Sequence, residues 1–184
     1  MKFIPTELAD VWLISPKRFS DDRGYFSETF KHNLFEQAIG RSVSFVQDNF
    51  SHSLYTGTVR GLHFQKPPFA QGKLIKCLRG RIQDVAIDIR KNSPSYGRSV
   101  SAELSEENGN QLWIPEGFLH GFCTLQENCD VAYKCTNYYS SECDANIRWD
   151  DADLNVEWKV DSNNVILSKK DKTAPGFADF DSPF

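Results

Sequence analysis

The apolar stretches of this chain are short, and that limits the fold more than any other property. Most run roughly the length of a strand, alternate apolar with polar residues, and stop at Gly, Asn, Asp or Pro. Residues 11–14, 43–50, 73–78, 82–89, 99–104, 112–114, 118–125 and 131–139 all have this character. One segment reads as a helix, 33–39. There Asn33 is placed to cap, Glu36 follows three residues on, Leu34, Phe35, Ala38 and Ile39 form a stripe, and Gly40 stops it. Asp21-Asp22-Arg23-Gly24 is turn chemistry ahead of an aromatic run, and Arg79-Gly80-Arg81 has the form of a hairpin connection. Residues 144–158 carry Trp149 and Trp158, ahead of a tail rich in Lys and Asp. Many short strands with one early helix predict an all-β sandwich or barrel, its open edges removed by doubling the sheet into a jelly roll.

A length of 184 residues suits one domain spanning 1–184 and burying about two-thirds of its unfolded surface. Aromatics make up 13%, with 14 Phe, which favours large cross-strand contacts. The net charge of −4 gives no broad basic field, so no nucleic acid is expected as partner. Pro5 and Glu7 interrupt the start before an apolar run develops, so neither a leader nor a membrane segment is expected. Five cysteines without C-x-x-C spacing are expected as thiols in the cytoplasm rather than as a zinc site.

Residues 58–65, Thr-Val-Arg-Gly-Leu-His-Phe-Gln, place a cation and an imidazole three positions apart on a strand. Side chains alternate faces, so Leu62 and Phe64 pack one way while His63 and Gln65 point the other. Arg60 shares the parity of Leu62 and needs a bend to join His63; Gly61 is the residue type that permits one. An ordinary strand with a surface Arg and a hydrogen-bonded His would read the same, so the rest of the chain has to decide.

The second informative stretch is Gly109-x5-Pro115-x-Gly117-x-x-His120, where Pro and Gly form a sharp turn that delivers His120 inward from the next strand. Its spacing resembles the second motif of the cupins, whose double-stranded barrels bind small molecules inside. The first cupin motif would supply His-x-His; here it reads His63-Phe64-Gln65, one imidazole and a neutral amide. That is a poor donor set for a divalent ion. The resemblance is therefore to metal-free cupins.

Taken together, the motifs resemble the nucleotide-sugar 3,5-epimerases. The matching residues include Asp22-Arg23-Gly24-Tyr25-Phe26 with Glu28, the run 45–49, residues 59–65, Gln71-Gly72-Lys73, and residues 85–90. They continue through 112–122, Tyr133-Lys134-x-Thr136-Asn137-Tyr138-Tyr139, and Leu167-Ser168-x-Lys170-Asp171, in order over nearly the whole chain. The resemblance implies a cupin-type jelly roll that inverts C3 and C5 of a dTDP-4-keto-6-deoxyhexose through an enolate, without cofactor or metal, in dTDP-rhamnose formation. It further implies His63 as the base, Asp171 as its orienting carboxylate, Lys73 beside the enolate oxygen and Tyr133 as the opposite-face acid. Their chemistry suits those roles. An imidazole titrates near ~6.5, an ammonium stabilises developing oxyanion charge, and a phenol can protonate an enolate carbon.

The same resemblance implies a nucleotide grip. Arg60 and Arg23 would meet the diphosphate, and Gln47 and Asn49 the base or phosphates. Glu28 would lie on the thymine side, Tyr139 would stack on thymine, and Lys170 would add charge near the phosphates. His120 and Asp144 complete the set, with Asp144 standing where the family pattern has the longer Glu. Arg23 and Glu28 would serve the partner subunit's site, implying a homodimer with shared sites. A single-centre epimerase on a related keto sugar, a metal-dependent cupin, and a non-catalytic sugar-nucleotide binder are the rival readings.

Overall fold

The structure, a computed structural model, describes residues 1–184. The strands are β1 (Lys2–Pro5), β2 (Trp12–Ser15), β3 (Arg18–Asp21), β4 (Gly24–Ser27), β5 (Gln47–Ser53), β6 (Val59–Gln65) and β7 (Lys73–Arg79). They continue with β8 (Arg81–Asp88), β9 (Ser99–Ser105), β10 (Gln111–Ile114), β11 (Phe118–Thr124), β12 (Cys129–Cys135) and β13 (Asp144–Asn146). Two helices, α1 (His32–Ile39) and α2 (Lys169–Lys172), complete the regular structure with a short 3-10 turn at Ser162–Asn164.

Eleven of the strands form two antiparallel sheets, ordered β1-β2-β10-β7-β12-β5 and β13-β6-β11-β8-β9, while β3 and β4 pair as a separate arm. This is the expected jelly roll. Its core is shared: Ile75, Leu112 and Val131 from one sheet meet Ile82, Ala86, Leu104 and Phe122 from the other. Both outer faces are also partly covered. Leu62, Phe64, Val85, Ile87 and Leu119 pack under the C-terminal segment, with Phe180 edge-on to Phe64 at 5.5 Å. On the other sheet Ile14, Leu74 and Trp113 lie beneath Phe35 of α1, Val43 and Phe45. The alternation in β8 therefore holds, yet Val85, Ile87 and Ile89 are as buried as Ala86 and Asp88 because a layer lies on each side.

Several expectations need correction. The residues 79–81 do not close a hairpin: β7 and β8 belong to different sheets, and Gly80 turns the corner between them at φ +76°. A Cβ there would sit 2.7 Å from Cys129 Sγ, so the corner is too tight for any side chain. The helix starts one residue earlier than expected, behind Lys31, with no side-chain cap. Asn33 is inside it, and Glu36 reaches forward to accept from the Val43 amide at 2.8 Å rather than back to the helix start. Strand 43–50 begins only at Gln47, because residues 43–45 turn their apolar side chains onto α1. The expected strand 131–139 starts at Cys129 and ends at Cys135, so residues 136–139 lie outside the sheet; the other expected strands fall within a residue or two of their positions, and β1, β3 and β13 were not anticipated.

All five cysteines are free thiols, four of them buried. No helix is long and apolar enough to cross a membrane.

Candidate active site

A cleft opens between the two sheets as two lobes that meet at His63, Lys73 and Tyr133. One, of about 460 Å³, is also lined by Arg60, His120 and Asp171; the other, of about 410 Å³, by Gln47, Asn49, Tyr139, Asp144 and Lys170. Each is within the range of small-molecule sites, and together they can take an extended ligand.

The lobes owe their residues to the strand pattern. His63 lies on β6 directly across from His120 on β11. The register between these strands slips around Gly61: His120 faces His63, but Phe122 faces Arg60, so Gly61 and Leu62 together oppose Gly121. This bulge resets the parity and brings Arg60 round to the face of His63, the bend the sequence required. The strands also approach closely here. A Cβ on Gly61, whose φ is +138°, would lie 2.6 Å from Gly121 Cα. Arg60 is then fixed by bonds from Nε to Ser53 Oγ (3.2 Å) and from Nη2 to the His52 carbonyl (2.9 Å).

Lys73 on β7 and Tyr133 on β12 come from the facing sheet, two neighbouring strands with Cys135 opposite Lys73 and Tyr133 opposite Ile75. The cleft thus receives imidazoles from one wall and an ammonium and a phenol from the other. Burial lowers the pKa of Lys73, against the charges of Cys135, Asp144 and Asp84. Burial raises that of Tyr133, with Cys135 adding to the rise and the Arg60 cation opposing it. The phenol is therefore a proton carrier, not a standing anion, at neutral pH.

Each imidazole leans on a carboxylate. His63 Nε2 is 2.6 Å from Asp171 Oδ1, and Nδ1 is the ring nitrogen left for the cleft. Burial alone would raise the Asp171 pKa, but the bond to His63, the His63 charge and the Ser168 hydroxyl hold it below the usual value. Asp171 is carried on α2, where Ser168 Oγ accepts from the Asp171 amide at 3.1 Å. That segment is tied to β6 by backbone bonds, Val59 to the Ile166 carbonyl and Ile166 to the Gly57 carbonyl.

His120 Nε2 is 2.7 Å from Asp84 Oδ1, and Asp84 Oδ2 has no protein partner. Burial lowers the His120 pKa in spite of Asp84, which pulls it up; the charges of Lys73 and His63 push it further down. Asp84 was not anticipated. Its signal was present: Ile82, Asp84 and Ala86 share the inward face of β8, and a carboxylate there has to meet a partner.

In the second lobe Asp144 accepts from the Tyr139 hydroxyl at 3.1 Å and from Lys170 Nζ at 2.5 Å, so the shorter acid still bridges both. Gln47 and Asn49 line this lobe, but the Gln47 amide is engaged internally, donating to Asn49 Oδ1 and accepting from the Tyr139 amide. Arg60 is in the lobe with His120, apart from Tyr139 and Lys170. Arg23 and Glu28 reach neither lobe. Arg23 pairs with Asp21 at the tip of the β3–β4 arm, and Glu28 lies 3.7 Å from Lys31.

Against known proteins, residues 5–179 match the family model described as dTDP-4-dehydrorhamnose 3,5-epimerase. The dTDP-4-dehydrorhamnose 3,5-epimerase of Shigella flexneri is 50% identical over 181 residues, 98% of each chain. The crystal structure of that enzyme from Elizabethkingia anophelis superposes with a TM-score of 0.92 at 46% identity, covering 96% of both chains. A Legionella pneumophila epimerase crystallised with dTDP-4-keto-L-rhamnose superposes at 0.90 with 43% identity, covering 95% of this chain and 92% of that one. With this agreement along nearly its whole length, and a cupin-type barrel to match, the chain belongs to the dTDP-4-dehydrorhamnose 3,5-epimerase family.

Proposed function

We propose that His63 removes the protons at C3 and C5 of the 4-keto sugar and that Tyr133 returns them from the opposite side. The reaction is that of the family, epimerisation of dTDP-4-dehydro-6-deoxy-D-glucose to dTDP-4-dehydro-L-rhamnose. Both hydrogens are acidic because they neighbour the carbonyl, and inversion needs a base on one face of the ring and an acid on the other. The observation that carries the assignment is the origin of the two groups: His63 projects from one sheet and Tyr133 from the facing one, into the same space. Asp171 orients His63 and stabilises its imidazolium, as a carboxylate does in other His–Asp pairs. Lys73, beside Tyr133, stabilises the enolate oxygen, and His120 and Arg60 hold the sugar end.

The second lobe suits the nucleotide, with the exposed Tyr139 ring offered to thymine and Lys170 to phosphate. The arm suits a homodimer that completes each other's sites. It holds Phe19, Tyr25 and Phe26 at 48%, 58% and 67% exposure, and carries Arg23 and Glu28 away from this chain's own cleft. We place the enzyme in the cytoplasm, where its free thiols are stable.

The test follows deuterium in heavy water. The protein should label C3 and C5 of the keto sugar, and coupling to an NADPH-dependent 4-keto reductase should consume NADPH. His63→Ala should lose both signals while keeping its fold, and Tyr133→Phe should retain exchange at C3 better than inversion. Unchanged turnover in His63→Ala removes the mechanism, and label at one carbon only supports a single-centre epimerase. Mixing Arg23→Ala with His63→Ala chains should restore roughly a quarter of the wild-type sites if subunits complete one another.

A further inference from the structure

Residues 136–140, which carry Tyr139, lie between β12 and β13 with no ladder to satisfy their backbone. Four of their backbone polar atoms are met instead by glutamine amides. Gln71 Nε2 donates to the Asn137 carbonyl at 2.7 Å, and Gln65 Nε2 to the Tyr138 carbonyl at 3.0 Å. Gln47 Oε1 accepts from the Tyr139 amide at 2.9 Å, and Gln65 Oε1 from the Ser140 amide at 2.7 Å. Gln65 Nε2 also donates to the Phe69 carbonyl at 2.6 Å, so one amide clasps two loops together.

The Tyr139 side chain is held far less tightly. The residue is 60% exposed, and its hydroxyl has one partner, Asp144. Firm backbone under an open aromatic ring is the arrangement of a prepared stacking platform, because the ordering cost has been met before a ligand arrives. Gln65 is central to it. It is 5% exposed, with both amide hydrogens and the carbonyl oxygen engaged within hydrogen-bond range. A carboxylate at that position would accept but not donate, and would face two carbonyl oxygens. A histidine there, as a His-x-His pattern has, could not meet three groups on two loops.

We infer that Gln65 is a positioning residue for nucleotide recognition: from the catalytic strand, two residues beyond His63, it fixes the loop that presents Tyr139 to the base. The inference rests on the reading of Tyr139 as the stacking ring. It ties nucleotide affinity to a residue on the wall that carries the base catalyst, with Gln47 and Gln71 as lesser supports.

The experiment is a double-mutant cycle with dTDP as the probe, read by calorimetry beside steady-state kinetics. Gln65→Glu should weaken dTDP binding and raise KM about tenfold, equivalent to ~1.4 kcal/mol, with a smaller change in kcat. In a Tyr139→Ala background the same change should cost little more, because the ring it positions is gone. Gln71→Leu removes a single bond, to Asn137, and should move KM in the same direction by about threefold; it carries the cycle if Gln65→Glu does not fold. Equal losses in the presence and absence of Tyr139, or a fall in kcat at constant KM, overturn the inference. A wild-type chain that fails to bind dTDP defeats the nucleotide reading itself. Equal dTDP affinity in the wild type and in Tyr139→Ala leaves that reading standing and removes the platform.

Discussion

The two imidazole–carboxylate pairs differ by only 0.1 Å in hydrogen-bond length, 2.6 Å for His63–Asp171 and 2.7 Å for His120–Asp84, and their imidazoles sit on adjacent strands. Their surroundings separate them. The His63 side chain is 30% exposed and that of His120 is 9%, with Asp171 at 3% and Asp84 at 0%. His63 stands where both lobes converge, open to a ligand in either. His120 is deep in one lobe, burial disfavours its cation, and nearby positive charge at Lys73 adds to the effect. On the proposed mechanism the same two residue types make a base in one place and a neutral hydrogen-bonding group in the other. Environment, rather than the pairing, sets the role.

The sharpest way to break this contrast is to remove each ring. His63→Ala should lower kcat by about 10³-fold or more, whereas His120→Ala should act mainly on KM, by about tenfold; similar collapse of kcat in both would mean that the rings share the proton chemistry. Removing the carboxylate charge comes next. Asp171→Asn should reduce kcat by about 10²-fold and alter the acid limb of the kcat pH profile, while Asp84→Asn should cost less than about tenfold and leave that limb in place.

Stability should rank the pairs in the other order. Asp84→Ala strands a buried imidazole N–H and should cost about 1–3 kcal/mol in urea unfolding, more than Asp171→Ala, whose imidazole can turn to water. The smallest effect is a slope. Because the folded chain holds His120 below its ordinary pKa, the unfolded chain binds that proton first. This group's share of stability is present above the ordinary value near 6.5 and is lost as pH falls through it, levelling once the folded ring protonates. Unfolding midpoints between pH 5 and 8 should show a shallower decline in His120→Asn than in wild type.

The residues legible from sequence were those whose neighbours lie on the same strand or turn. Leu62, His63 and Phe64 divide between faces as alternation requires, and Pro115 and Gly117 do turn His120 inward. Contacts between segments distant in sequence were not legible. Asp84 reads as an inward carboxylate in need of a partner, but that partner is identified as His120 only once β8 is known to lie beside β11, and the corner at Gly80 passes for a hairpin until its flanking strands are assigned to separate sheets. Asp171 was reached through family resemblance alone, since nothing local links it to an imidazole 108 positions away. Gln65 was noticed for what it does not offer a metal, and its three bonds depend on loops that are distant in sequence.

The placement of Asp171 on α2, after every barrel strand in the chain, has a bearing on the order of assembly. A nascent chain that has completed every barrel strand still lacks the carboxylate that pairs with His63, and it lacks Phe177, Phe180 and Phe184 over the outer sheet as well. The hydrophobic coat and that carboxylate are therefore added to the barrel by one late segment, so a chain stopped after β13 should, on the proposed mechanism, be inert instead of partly active.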